Sequence, residues 1–494
     1  MSLRSKSCAI ALMLSLIDFG CTHRVVKKLD PNIPNAGREE IVGVTTKRGE
    51  DVRFDPPGGA LRDGVVSARV RGNDYSVNLT DVDRLWVARV QTSVVRTIGL
   101  VAGLAAATVV ATVAVVLLTK QSCPFVYSWD GEKYTFDAEP YGGAITRGLE
   151  RDDYSELEHL RPDHGVYRLL LTNEVDETQF TNLMELWVVD GPAGARVTTD
   201  ESGGLYALTR PQAPIAATDR SGKDLLDWLR STDRLIWEPS AVPSPDGALR
   251  DEITLTFPKP EGARHARLVV NAATGLWGSY MIKRMVELRG REAPAWLASL
   301  QPDSEALKEV HEWIAREDIY RLNVDVEEPD GWHTRGSVPP GGPLIAEDRV
   351  VPMDTSHVRG DKLRIRLRPP LGFWALNSFA IDYDDDPKLE VTHIAPFRAR
   401  TSTGRDILSD LLISDNRYYA MPSTDDRAEI RFNAPPQKAG LKRTIFLHTR
   451  GWYQLHLNTS HEPDARALDG IFNHPDGAAS FAAKEYASWA GTRN

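Results

Sequence analysis

From Ile98 to Leu118 the chain reads IGLVAGLAAATVVATVAVVLL, an unbroken apolar run without a charge, proline, Asn or Gln. At about 1.5 Å of helical rise per residue, such a run matches a hydrocarbon core roughly 30 Å thick and predicts a transmembrane-type helix over 97–119. A helix of this kind divides the rest of the chain into a short amino-terminal part and a long carboxy-terminal one. Its small residues Gly99, Gly103, Ala106 and Ala107 suit close helix contact, so self-association through this segment is expected.

The first residues read as targeting. Arg4 and Lys6 precede the apolar stretch Cys8 to Ile17, and Gly20 leads to Cys21, the outline of a bacterial lipoprotein-type signal over 1–21 with Cys21 as the lipidated residue. Asp18 departs from that outline, which usually has an aliphatic side chain there. Acylation would hold the chain to membrane lipid by about 0.8 kcal/mol per buried CH2. Cys8 would leave with the signal, and Cys123 then has no partner for an intramolecular disulfide. Lipidation of Cys21 sets the start outside the cytoplasm, whereas Arg84, Arg89 and Arg96 before the apolar run, against Lys120 after it, favour an inside flank. The reading adopted is a bacterial envelope protein, membrane-anchored, with its large region extracytoplasmic.

A net charge of −10 without a long basic run argues against nucleic acid as partner, because phosphate binding needs clustered Lys and Arg. With 41% apolar and 26% charged residues the chain is that of a folded protein. Its fold class is mainly β with a few helices. Residues 22–37, with Lys27, Lys28, Pro31 and Pro34, read as a tether. Over 38–92, alternating stretches separated by Gly49, Gly64 and Gly72 predict a small β meander or barrel.

Beyond the apolar run, 122–318 reads as a β-rich domain with helices. Cys123 to Trp129 and Glu132 to Phe136 flank Asp130-Gly131, the dipeptide favoured in type I′ hairpins. Leu149 to His159 is acidic and partly amphipathic, while Gly165 to Leu171 and Leu183 to Val189 read as strands. Helical spacing over Trp277 to Leu288 and Ser304 to Arg316 predicts helices that cap a sheet. Many short strands over 319–460 predict a β-sandwich or jelly roll, and 461–494 a polar tail with a helix at Ala479 to Ala490.

The block CPFVYSWDGEKYTFDAEPYGGAITRGLERDDYSELEHLRP, continuing to YRLLLTNEVDETQFTNLMELWVVD, resembles a family of uncharacterised bacterial envelope proteins with lipoprotein-type starts. The order of a GVTTKRGEDVRFDPPGG segment, an apolar run and that block is similar over nearly the whole chain. The resemblance implies shared architecture and envelope location, with no activity and no catalytic residues. In the last third, GDKLRIRL, FWALNSFAIDY and KRTIFLHTRGWYQLHL are similar to segments of extracellular accessory β-domains.

No GxSxG, Walker-type loop or Rossmann fingerprint is present, so no catalytic residue, metal ligand or cofactor is assigned. Asp382, Asp384, Asp385 and Asp386 lack the spaced Ca2+ loop and read as a solvated turn. His448, His456 and His461 lack companion zinc spacing, and Ala315 stands where His311-Glu312 would need a second His. Glu150, Asp152, Asp153, Glu156 and Glu158 read as a charged face, or as the source of an acid/base pair. Trp129, Tyr141, Trp332, Trp374 and Trp452 are the candidate binding surface, because aromatic faces stack on sugars and anchor protein interfaces, although each ring also suits a sandwich core. The expected function is binding or scaffolding in the envelope, with a glycan or an envelope protein as partner. The alternative is a glycan hydrolase using paired carboxylates. A pocket holding two close carboxylates with raised pKa would favour the enzyme, and a flat aromatic patch would favour binding.

Overall fold

The structure, a computed structural model, describes residues 22–29, 31, 40–55, 58–62, 64–92, 124–232, 236–237, 247–384 and 387–491. Cys21 and the apolar run over 98–118 lie outside the described residues. Among the described residues no helix is long and apolar enough to cross a membrane. The chain divides into two compact units.

The first unit contains β1 (Thr22–Leu29), β2 (Glu40–Thr46), β3 (Asp51–Arg53), β4 (Ala60–Arg62), β5 (Val65–Val70), β6 (Asn73–Asn78) and β7 (Val82–Thr92). They form two open sheets, ordered β1-β7-β2-β3 and β4-β5-β6. Neither closes, so the barrel alternative is corrected. Ile41, Val44, Phe54, Val66, Leu85 and Val87 form its core. Half of the expected tether is also corrected: β1 pairs along its length with β7, from Thr22 opposite Thr92 to Leu29 opposite Leu85. Its lysines suggested a solvated linker, and pairing with a strand some sixty residues away leaves no local trace. Gly43 is required where it stands, since a Cβ there would come 2.7 Å from the Val52 carbonyl oxygen.

The second unit begins with β8 (Phe125–Trp129), β9 (Tyr134–Ala138), β10 (Arg151–Glu156), β11 (Val166–Thr172), β12 (Glu177–Pro192), β13 (Arg196–Thr199) and β14 (Leu205–Leu208). Next come β15 (Ala216–Asp219), β16 (Ile253–Pro258), β17 (His265–Thr274), β18 (Leu322–Glu328), β19 (Gly331–Val338), β20 (Glu347–Asp354) and β21 (Lys362–Leu367). The last are β22 (Trp374–Asp382), β23 (Glu390–Ile394), β24 (Arg398–Thr401), β25 (Tyr419–Met421), β26 (Arg427–Asn433) and β27 (Leu441–Leu455). Its longer helices are α1 (Leu276–Glu287), α2 (Ala293–Ser299), α3 (Glu305–Glu317), α4 (Ala465–Phe472) and α5 (Gly477–Gly491), besides a single turn at Leu226–Leu229.

Two sheets, β10-β27-β12-β23 with β25 beside β12 and β24-β26-β11-β8-β9, make a sandwich. Period-two alternation in β12 turns Met184, Leu186 and Val188 inward, where they meet Leu169 and Leu171 of β11, Ile430 and Phe432 of β26 and Leu447 of β27. Burying each such side chain stabilises the fold by roughly 1.5–3 kcal/mol. At one end, Val286 of α1 and Ala293 of α2 cluster with Tyr141, Ala144, Tyr453 and Leu455, so the expected capping helices are present. Further sheets run β15-β16-β21-β18-β19 and β20-β17-β22.

Three local expectations change. The hairpin at Asp130-Gly131 exists, but Trp129 pairs with Tyr134, leaving a four-residue loop in which Asp130 Oδ1 accepts the N–H groups of Glu132 and Lys133 at 2.9 Å. That Asx geometry replaces the two-residue type I′ turn. A boundary at residue 318 does not separate folding units, because β12 pairs with β23, β25 and β27, and β16 with β21. Residues 461–494 are not merely a tail: Ile471, Ala478, Ala479 and Ala482 are buried, and Trp313 Nε1 donates to the Ile471 carbonyl at 3.1 Å.

Candidate functional site

Alternation on β10 sends Asp152, Tyr154 and Glu156 to one face of the sheet, and Asp153 and Ser155 to the buried one. Register then assembles the outer face. Asp152 lies opposite Arg450, and Tyr154 opposite His448. Across β27, His448 is also opposite Glu185 of β12, and Trp187 is opposite His393 of β23. Four strands therefore contribute to one partly exposed surface.

Its rings form two groups. In the first, Tyr154 stacks on His448 with centroids 4.7 Å apart, Trp187 leans on both at 4.9 and 5.1 Å, and His393 lies 4.8 Å from Trp187. In the second, Phe180 and Trp452 stack at 4.1 Å with Tyr418 edge-on to each. Between the groups runs a charged band. Arg450 Nη1 donates to Asp152 Oδ2 at 2.7 Å and its Nε lies 3.6 Å from Glu150 Oε1. Tyr418 donates its hydroxyl to Glu150 Oε2 at 3.2 Å.

A β-bulge in β12 between Thr181 and Leu183 carries Asn182, whose Nδ2 donates to Glu150 Oε1 at 3.1 Å and to the Asp415 carbonyl at 2.8 Å. The bulge thus aims one amide at the carboxylate band and fastens the neighbouring loop. Val391 of β23, on the same side of the strand as His393, is exposed, as are Leu412 and Ile413 of that loop. At the other end the turn at Gly203 lies so close that a Cβ would come 2.6 Å from Tyr154 Cζ.

The carboxylates differ in protonation tendency. Burial pushes Asp152 up, but hydrogen bonds from His448, at 2.9 Å, and Arg450 outweigh it and hold the group below its ordinary range. Burial acts likewise on Glu185, and bonds from Trp187, His393 and His448 bring it down. Glu150 is raised by burial despite Arg450, Tyr418 and Arg147. Glu156 is pushed up to about 7 by burial, then by Glu158.

Beneath the face, Asp153 is an ionic anchor. Its carboxylate accepts from Arg151 and Arg349 at 3.2 Å each and from the Tyr141 N–H at 2.8 Å. Tyr141 itself is fully buried at a positive φ of 47°, with its hydroxyl 2.5 Å from Thr181 Oγ1.

The sequence candidates therefore separate. Tyr141 and Trp374 are core residues, removed from any contact surface by the packing that buries them. Trp452 belongs to the face. Trp129 lies apart on β8 against Tyr134 and Arg168, and Trp332 lies on β19 beside Arg364 and Arg366. Of the acidic set, Glu150, Asp152 and Glu156 share the face and Asp153 is turned inward.

The three histidines are not brought together: His456 pairs with Asp176 and His461 with the Glu462 carbonyl. Asp382 is not a solvated turn residue but a buried acceptor for the N–H groups of Thr209 and Arg210, while Asp384 pairs with Arg210; Asp385 and Asp386 lie outside the described residues. Glu328, Asp330 and His333 bring ligand atoms within 4.8 Å at the β18–β19 turn, where Arg335 already occupies Glu328.

Sequence reasoning missed Tyr154, Phe180, Glu185, Trp187 and Tyr418. The alternation Leu183-Met-Glu-Leu-Trp-Val-Val189, with Glu185 and Trp187 at matching positions, contains the signal that two of them share a face.

No protein-family model and no curated protein matches the chain. Among solved structures it is similar to a beta-porphyranase of glycoside hydrolase family 86 from the human gut bacterium Bacteroides plebeius, with 8% identity and a TM-score of 0.16 over 49% of this chain and 36% of that one. It is also similar to a glycoside hydrolase family 43 arabinoxylan arabinofuranohydrolase from Bacillus subtilis, with 10% identity and a TM-score of 0.13 over 52% of this chain and 45% of that one. The chain thus spans less than half the length of either. At this level the likeness says nothing about activity or ligand.

Proposed function

We propose that this is a membrane-anchored envelope protein that binds a glycan on the outer face of β10, β27, β12 and β23. The observation that carries the reading is the grouping of Tyr154, Trp187, His448, Phe180 and Trp452 around hydrogen-bonding carboxylates on one partly exposed surface. Aromatic rings offer apolar faces to sugar C–H groups, while carboxylates and amides accept and donate to hydroxyls. Val391, exposed on the same side of β23 as His393, adds apolar area of the kind that marks interaction sites.

Co-sedimentation with purified cell-wall sacculi tests the reading. The chain is expected in the pellet, and Trp187→Ala or Trp452→Ala should weaken retention about tenfold, as for loss of an aromatic anchor. Unchanged retention in both variants would remove this face from binding.

A second reading, hydrolysis of an envelope glycan, is favoured by one arrangement on the same face: Glu150 and Asp152 both flank Arg450, with Glu150 raised by burial and Asp152 held down, a divergence suited to acid and base roles. Reducing-end release from sacculi that disappears in Glu150→Gln would select it. Protease digestion of the carboxy terminus in intact spheroplasts is expected for an extracytoplasmic large region, and loss of membrane attachment in Cys21→Ala is expected if lipid is the anchor.

A further inference from the structure

We infer that the ligand of this face is a linear glycan of at least three sugar units carrying no anionic groups, lying along β27. The inference rests on the binding reading above and adds length and charge. Trp452 and His448 are four residues apart on β27 and on the same side of it, so the two ring groups they anchor are about 13 Å apart at the usual strand rise. A pyranose ring is about as wide as one aromatic ring, so one sugar cannot rest on both groups. A chain with a sugar over each leaves room for at least one more above the band between them.

That band consists of Glu150, Asp152 and Arg450, with the buried Asn182 supporting Glu150 from beneath. Its donors and acceptors are oriented before any ligand arrives: Glu150 is held by Tyr418 and by Asn182 of the bulge, and Asp152 by His448 and Arg450. A preorganised polar strip between two apolar platforms matches the alternation of ring faces and hydroxyl edges along a polysaccharide. The second part of the inference comes from charge. With Glu156 and Glu185, the face has four carboxylates, two of them flanking Arg450, and Arg147 stands at the margin beside Tyr418. A glycan bearing carboxylate or sulfate would meet like charge, a repulsion that discriminates against it.

Titration of the full chain, followed by tryptophan fluorescence, provides the test. The probes are β-1,4-linked N-acetylglucosamine and glucose oligomers of one to six units, with galacturonate oligomers as the anionic counterpart. Affinity for at least one neutral series is expected to rise tenfold or more between two and four units and then level off. Galacturonates should not compete. Trp452→Ala should erase the dependence on length while leaving weak binding of short oligomers, and Trp452→Phe, which keeps a flat ring, should restore most of it. Full affinity for a monosaccharide, or equal affinity for galacturonates, overturns the inference while the binding reading survives. Absence of binding to all the oligomers overturns both.

Discussion

At the scale of single residues, the face joins two opposite electrostatic devices on one strand. Asp152 is held ionised by His448 and Arg450, whereas Glu156, four residues on, is pushed up to about 7 by burial and by Glu158. A carboxyl raised on folding contributes stability that is complete below its unfolded value near 4.5 and is lost as pH rises through about 7. Glu156→Gln cannot ionise, so the variant should match the parent at pH 4 and exceed it at pH 8 by on the order of 1–3 kcal/mol. Urea unfolding at both pH values measures this, and an equal change at the two would show that Glu156 is not the source. Composition made the acidic stretch visible. It could not separate Asp152 from Asp153, because the inward position of Asp153 only acquires meaning once Arg151 and Arg349 converge on it.

At the scale of elements, β12 and β27 decide the geometry. They pair from Glu177 opposite Leu455 to Pro192 opposite Leu441, and the bulge at Asn182 is the single register shift between them. Without it, alternation beyond this point would place Glu185 and Trp187 on the core side, since a one-residue slip reverses every side chain. The close approach beside the bulge depends on Gly451, where a Cβ would overlap the Phe180 carbonyl oxygen and come 2.8 Å from Tyr141 Cζ. Gly451→Ala should therefore destabilise the chain by about 1–3 kcal/mol, the usual cost of overpacking. A thermal melt of that variant coinciding with the parent would mean that the strands can part without penalty. The apolar alternation that builds the two strands is readable in the sequence. The bulge is not, because Thr181-Asn182-Leu183 contains no glycine or proline to announce it.

At the scale of the whole molecule, the chain has two units with cores of their own, one around Ile41, Val66 and Leu85, the other around Leu169, Leu186 and Ile430. Each should unfold cooperatively, so calorimetry of the chain is expected to show two transitions, with Leu85→Ala lowering one and Leu186→Ala the other by about 2–5 kcal/mol. A single transition shifted by both variants would refute this independence. The large unit also explains why a boundary near residue 318 looked reasonable: helices α1 to α3 interrupt the strands in sequence, yet the sheets continue through them in space. By itself the sequence determined the β-rich class, the capping helices and many of the strands, because those follow from periodicity within a few residues. It also contained the acidic stretch, His448 and Trp452, although in three unrelated sets. Only the tertiary structure decided that Asp152, His448, Glu185 and Trp452 share one face while Tyr141 and Trp374 are buried. Strand register, a bulge and the order of strands in a sheet are set by pairings between segments hundreds of residues apart, and no local pattern encodes them.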